Sequence, residues 1–397
     1  MEKISIIIPS YRSFNEIDFL LDAINRQSFC PDEVLIIDED FDLNLEKNLQ
    51  KKNYLFSLKI IKYTGKSFPP NKRNFGVNES KNDIIAFLDI KTLPSEHWLK
   101  KNVNLLRKNK SKVIFGSTKY YYNSYFNKIL FFCSYGERIY ETLPGTVLYK
   151  KTFKRIGNFV ENVRAGDDIE WRDRVKKYDQ FYFDDVFSNI SYKSLPRNMI
   201  QTQKKYLIYS FYNAFVEVQN NMKNFYFLIM ILFSAIIAPK WNYIISDWSS
   251  NPLYISNVTK KYIFSIIIIY LTYLTLYIFN KIFSNLKFFS TFFNYFIISV
   301  GFLTVFFWNA KIAFWAEETV LYIPHITKIY LSLLMIFSLV YRGIIGPIKN
   351  KVKIKDLLPF NWLLSGILGL YLDLIKAPFY LLGGIIFPFV KFFKKND

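Results

Sequence analysis

Polar and charged side chains collect just after four short apolar runs. They are Pro9-Ser10-Tyr11-Arg12, Asp38-Glu39-Asp40, Asn71-Lys72-Arg73-Asn74-Phe75-Gly76 and Asp89-Ile90-Lys91-Thr92-Leu93-Pro94. One aspartate after a strand is more often a turn or cap residue than a ligand site. Four such clusters along one sheet are harder to dismiss, because the carboxyl ends of parallel strands are where α/β sheets build nucleotide pockets. Further on, Gly166-Asp167-Asp168 could supply a carboxylate for proton transfer. On its own it also reads as a helix start, with acids placed on the positive end of the helix dipole.

The elements that must position these clusters follow from the apolar pattern. The runs Ile4–Ile8, Val34–Ile37, Leu58–Tyr63, Ile84–Leu88 and Val113–Gly116 are short and β-branched, as strands buried on both faces are. Between them, Asn15–Gln27, Asn71–Glu79 and His97–Lys108 carry helical patterns. Strand alternating with helix predicts an α/β domain with a mostly parallel, Rossmann-like sheet over residues 1–205. Beyond it the texture changes. Residues 206–223 read as an amphipathic interfacial linker, and uncharged or nearly uncharged runs at 224–239, 262–280, 288–310 and 329–348 suggest about four transmembrane helices. Residues 349–397 follow as a basic loop and a segment, 357–390, readable as a hairpin, a re-entrant pair or an interfacial helix.

The chain's 52 Lys and Arg against 32 Asp and Glu give a formal charge of +20. Basic residues flanking apolar spans account for part of it, so nucleic acid is not the expected partner. Lys281, Lys287 and the lysines at 349, 351, 353 and 355 place both termini and the N-terminal domain on the cytoplasmic side; Lys260 and Lys261 fit that topology less well. Cys30 and Cys133 cannot build a disulfide framework or a CxxC zinc site, and with His97 and His325 the only histidines a His-rich metal site is excluded. The aromatic clusters Tyr120-Tyr121-Tyr122 and Phe131-Phe132 suit an acceptor groove or ordinary strand packing equally.

The ordered motifs resemble the family 2 glycosyltransferases of GT-A fold. The resemblance runs through Ser5 to Tyr11, Gln27 before Pro31, Glu33 to Asp38, Arg73-Asn74-x-Gly76, Phe87-Leu88-Asp89 with Pro94 and Trp98-Leu99, Gly157-Asn158-Phe159, and Gly166-Asp167-Asp168-Ile169-Glu170 leading to Arg174. It covers about residues 3–190, and the apolar remainder is similar to the C-terminal anchors of many members. It implies that Pro9, Tyr11, Asp38, Arg73, Asp89 and Lys91 surround a nucleotide-sugar donor. Tyr11 and Asp38 would hold the base, Arg73 would lie near base and phosphates, and Asp89 would be the first acid of the DxD motif. Of Asp167 and Asp168, one would be the general base of an inverting transfer, with Asp168 favoured. Arg174 would be an ion-pair partner or a donor to phosphate.

One position departs from the family pattern. Where the second DxD acid ligates Mg or Mn, this chain has Lys91, and an ammonium is no metal ligand. Either Lys91 itself neutralises the diphosphate, or Asp89 and the phosphates hold a metal alone, or donor binding is lost and the domain is a scaffold. The first reading leads here, because the other site residues persist. No Gln-x-x-Arg-Trp motif precedes the apolar region, which argues against a processive synthase. The expectation is therefore a multi-pass enzyme of the bacterial cytoplasmic membrane. It would move sugar from a UDP-sugar to a hydroxyl of a lipid-linked acceptor in cell-surface glycan or glycolipid synthesis. A polyprenyl phosphate is the alternative acceptor.

Overall fold

The computed structural model describes residues 3–10, 14–39, 49, 52–108, 112–178, 180–216, 336 and 339–394. The chain begins with β1 (Ile4–Pro9), α1 (Phe14–Asn25), β2 (Glu33–Asp38), β3 (Ser57–Lys62), α2 (Pro69–Glu79) and β4 (Ile84–Phe87). These four strands lie side by side, all parallel, in the order β3-β2-β1-β4. Side chains alternate across the sheet. Ile4, Ile6, Ile8, Val34, Ile36 and Ala86 therefore enter one core, with Leu20 and Leu21 of α1. Ile7, Leu35, Ile37, Ile85 and Phe87 enter the other, with Val77 of α2 and Trp171. Both faces are covered, which is why β1 needs isoleucine on each side. Helix α2 approaches β1 and β2 closely: a Cβ on Gly76 would lie 2.6 Å from Ile7 Cγ2 and 3.2 Å from Ile37 Cγ1.

The second half of the sheet is mixed. It holds β5 (Thr92–Pro94), β6 (Val113–Tyr120), β7 (Tyr140–Tyr149), β8 (Phe181–Tyr182) and β9 (Ile190–Tyr192). β7 runs antiparallel to both β4 and β6, and β9 joins β6 to the antiparallel β5. The intervening helices are α3 (Trp98–Lys108), α4 (Tyr125–Ser134), α5 (Lys150–Ile156) and α6 (Asp167–Tyr178).

Helix α7 (Met199–Asn213) begins at Met199 rather than at Tyr206, because Asn198 caps it, its Oδ1 accepting from the Gln201 N–H at 2.9 Å. The apolar runs at 224–239, 262–280 and 288–310, and most of 329–348, lie outside the described residues. The chain is described again through a π-helical turn (Tyr341–Ile345), the short helices α8 (Gly346–Lys349) and α9 (Ile354–Leu357), and α10 (Asn361–Lys394). Helix α10 is one continuous helix through Pro378 and Gly383-Gly384, so residues 361–394 form neither a hairpin nor a re-entrant pair. Its residues 361–384 are long and apolar enough to cross a bilayer, with mean hydropathy 1.3. One face nevertheless packs on the domain: Leu368 and Leu372 meet Ile129, Leu130 and Cys133 of α4, and Ala377 and Tyr380 meet Ala214 just past α7. Asp373, buried on that face, is held by Arg342 at 2.6 Å and lies 3.6 Å from Lys376.

Candidate active site

The strand ends and the first turn of α2 converge on one buried polar cluster. Helix α2 opens with Pro69-Pro70, which suits a first turn lacking N–H partners. Its next four residues, Asn71, Lys72, Arg73 and Asn74, are all buried. Each has work to do there. Asn74 accepts from the Phe159 N–H at 2.9 Å and donates to the Phe159 carbonyl and Glu161, both at 3.0 Å. Asn71 accepts from the Asn162 N–H at 2.9 Å. Together they pin the loop that delivers Asp167 and Asp168 to the start of α6.

Arg73 is the centre of the cluster. Its Nη1 donates to Asp167 Oδ2 and its Nη2 to Asp89 Oδ1, each at 2.8 Å. Its Nε is buried with no hydrogen-bond partner. Burial alone would lower the guanidinium's pKa, but the carboxylates of Asp89 and Asp167 outweigh it and hold it firmly charged. Asp167 is pushed up to about 7 by burial and by the charges of Asp168 and Asp89, with Arg73 opposing. Asp168, the next residue, differs: its side chain is 34% exposed and 3.6 Å from Arg172. Arg172 is itself engaged by the Glu141 carbonyl at 2.6 Å and carboxylate at 3.1 Å. Gly166 has a φ of +89°, a left-handed turn that sets the pair at the helix start.

Asp89 sits in a tight turn closed by Thr92, whose hydroxyl donates to the Asp89 carbonyl at 2.6 Å and accepts its N–H at 3.2 Å. Lys91 is exposed on that turn. At the end of β2, Asp38 is buried and accepts from the Ser10 hydroxyl. The Lys72 ammonium donates to the Ser10 carbonyl at 2.6 Å and lies 3.8 Å from Glu39. Pro9, the last residue of β1, pairs in register with Ile37 beside it; Tyr11 lies outside the described residues. A cleft of about 400 Å³ opens next to this group, lined by Glu39, Ser67, Arg164, Ile208 and Tyr212.

Of the residues singled out from sequence, Arg73, Asp89, Asp167 and Asp168 thus come together, with Asp38 and Pro9 at the neighbouring strand ends. Arg174 instead braces the loop before α6. It bonds Glu170 at 2.6 and 2.9 Å and the carbonyls of Ile156 and Asn158 at 2.8 and 2.6 Å. The sequence reading placed Lys72 in a polar cluster but gave it no role, since its burial is invisible in a run of polar residues. It missed Ile208 and Tyr212, spaced i, i+4 on the face of α7 that lines the cleft.

The residues present do not fit a dedicated Mg or Mn site. Asp89 already spends a carboxylate oxygen on Arg73, its neighbour in the turn is a lysine, and among the described residues no cluster of three or more His, Cys, Asp or Glu could hold a metal.

The family model for glycosyl transferase family 2 matches residues 5–165. An uncharacterized glycosyltransferase of Haemophilus influenzae is 33% identical over 86 residues, 22% of this chain and 28% of that protein. Glycosyltransferase AglE of Haloferax volcanii is 23% identical over 184 residues, 43% of this chain and 60% of that protein. The chain therefore matches less than two thirds of the length of either relative. Among solved structures, S. aureus TarS 1-349 in complex with UDP superposes with a TM-score of 0.37 at 17% identity, covering 55% of this chain and 66% of that one. The mannosyltransferase PcManGT of Pyrobaculum calidifontis, in complex with GDP-Man and Mn2+, gives 0.40 at 13% identity, covering 54% and 62%.

Proposed function

Residues 5–165 form a family 2 glycosyltransferase domain, and from that premise we propose that the chain transfers a sugar from a nucleotide-sugar donor, a UDP-sugar, to a hydroxyl of a lipid-linked acceptor. The observation that carries the reading is the division of labour between two adjacent acids. Asp167 is buried and tied to Arg73, while Asp168 stays partly exposed beside it. A carboxylate buried behind Arg73 is out of reach of an incoming hydroxyl, whatever its basicity; its partly exposed neighbour is within reach. Asp168 takes the proton of the acceptor hydroxyl as its oxygen attacks the anomeric carbon. The bond from that carbon to the diphosphate breaks, the electron pair leaves with the diphosphate, and the configuration inverts. A positioned carboxylate in this role contributes about 10²–10⁴-fold.

The remaining residues bind and orient. Asp38 and Tyr11 hold the base, and the Arg73 guanidinium fixes Asp89 and Asp167 so that the pocket keeps its shape when charge develops. Lys91, exposed on the Asp89 turn, meets the departing diphosphate as a cation in place of a metal. The setting is a membrane. The apolar runs between 224 and 348, together with the apolar length of α10, support a multi-pass anchor that holds enzyme and amphiphilic acceptor at one surface. The products fit cell-surface glycan or glycolipid assembly.

The test is incubation of the purified full chain with a panel of nucleotide sugars and a bacterial lipid extract, with EDTA or Mn2+. Labelled lipid is expected with one donor, at a rate EDTA hardly changes, and Asp168→Asn should lose it by at least about 10²-fold. Absence of product under every condition would make the domain a scaffold, and strong EDTA inhibition would reject Lys91 as the substitute cation.

A further inference from the structure

The face of α7 that lines the cleft carries a cation, Lys205, with no carboxylate paired to it among the described residues. Lys205, Ile208, Tyr209 and Tyr212 fall at i, i+3, i+4 and i+7, so they share one side of the helix. The half-buried Lys205 ammonium lies 5.5 Å from the ring centroid of Tyr209 and 5.9 Å from that of Tyr192. Among the described residues no carboxylate lies within ion-pair distance of it. The phenols supply no negative charge either, since burial raises Tyr209 and pushes Tyr192 up to about 12. Ring faces stabilise an ammonium only modestly. A lysine whose one purpose was structural would more simply be a Met or Leu between two tyrosines.

The position of this cage matters as much as its chemistry. Tyr192 in β9 is the register partner of Thr92 in β5. Thr92 is the residue that closes the Asp89 turn. Directly opposed residues in an antiparallel pair send their side chains to the same face. The ammonium above Tyr192 is therefore next to the Asp89 turn, on the side that α7 covers. The cage is itself braced: Tyr192 packs on Tyr120 at 5.2 Å, and Tyr120 stacks on Tyr135 at 4.2 Å.

We propose that Lys205 is a phosphate-binding residue of the donor site, its ammonium taking the diphosphate of a nucleoside diphosphate from the α7 side. The assignment rests on the nucleotide-sugar reading above and adds a residue from outside the matched family region, residues 5–165. It also gives α7 a role: the helix that leads to the apolar segments closes over the cleft and contributes a charge there.

The experiment compares ligands that differ only in the phosphates. Full-length protein in nanodiscs is titrated calorimetrically with uridine and UDP, and with guanosine and GDP, for wild type, Lys205→Met and Lys205→Arg; acceptor KM is measured alongside. Lys205→Met should weaken the diphosphate by about ten- to hundredfold, the range for a lost charge-assisted hydrogen bond. It should leave the nucleoside unchanged, and Lys205→Arg should restore most of the loss. Equal weakening of nucleoside and diphosphate would show a structural cage and overturn the proposal. So would unchanged diphosphate affinity with a raised acceptor KM, which would assign the ammonium to a phosphate on the acceptor. A wild type that bound no nucleoside or diphosphate would overturn the glycosyltransferase reading itself, a result separate from any effect of the variants.

Discussion

Removing the Arg73 guanidinium should damage the fold through one of its two carboxylate partners far more than through the other. Both bonds are 2.8 Å long, so distance does not distinguish them. Exposure does: the Asp89 side chain is 38% exposed and that of Asp167 is 6%. In Arg73→Met, Asp89 can turn to water, whereas Asp167 is left as a buried charge without a partner. With the charge retained, such a loss costs about 3–5 kcal/mol. For a domain of this size that lowers the melting temperature by roughly 6–20 °C, taking about 2–4 °C per kcal/mol. The carboxyl can escape by taking a proton, and because it is already pushed up to about 7 beside Arg73, this caps the added penalty at about 1.4 kcal/mol per pH unit above that value, roughly 3–6 °C at pH 8. The loss should therefore be larger at pH 8 than at pH 6. A double-mutant cycle in the full chain, read by thermal unfolding of the N-terminal domain at pH 8, separates the two partners. Arg73→Met with Asp167→Asn should recover about half or more of the lost stability, and Arg73→Met with Asp89→Asn almost none, since exposed pairs are worth about 0–1 kcal/mol. Equal recovery by the two carboxamides would refute the claim that burial, not contact, sets the strength of this network.

Two further outcomes are expected. Burial raises the Asp167 carboxyl to about 7, so its neutral form is the one the fold prefers; the stability this gives is complete below the unfolded value near 4 and is lost as pH rises toward 7. The melting temperature of wild type minus that of Asp167→Asn should accordingly fall from about pH 4.5 to 7.5, and a difference that rose would reverse the assignment. Gly166→Ala should lower transfer more than it lowers stability, because its φ is +89° and the new Cβ would lie 2.7 Å from Asn213 Oδ1, displacing the turn that aims Asp168. About 1–2 kcal/mol of backbone strain is expected in a melting assay, and unchanged turnover would show that the turn does not aim the base.

How much of this could be read in the sequence depends on whether a residue's role is local. Strands β1, β2 and β4 were legible because side chains covered on both faces leave a continuous apolar run, as in Ile4–Ile8; β3, half-exposed at the sheet edge, showed through its Leu58, Ile60 and Ile61 alone. The candidate residues Asp38 and Asp89 were legible for the same reason, since each stands at or just after the end of an apolar strand. Strand β7 was not, since Glu141, Thr142 and Gly145 interrupt its apolar pattern where it bends past β6 with a register shift between Ile114 and Gly116. The links that make the site a unit also join distant residues. Arg73 to Asp167 spans 94 positions and Asn74 to Phe159 spans 85. A polar run such as Asn71-Lys72-Arg73-Asn74 looks like a solvated helix start until the loop it pins is in place. Lys205 was hidden among the polar residues Gln203 and Lys204, and only the rings around it set it apart.

The charges around the pocket bear on how a diphosphate would be received. Asp89, Asp167 and Asp168 bring three carboxylates close together, and the guanidinium of Arg73 answers two of them. Arg172 leans toward the third but is largely taken by Glu141. An incoming diphosphate would meet repulsion unless other cations face it. If a divalent ion met that need through Asp89, the carboxylate would have to loosen its hold on Arg73, leaving a buried guanidinium with Asp167 as its one partner. Lys91 and Lys205 impose no such conflict. One is exposed on the Asp89 turn, and the other lies among phenols that cannot neutralise it. Neither draws on the Arg73 network, so on the proposed reading phosphate would be bound and released without disturbing Asp168, the carboxylate proposed to take the proton.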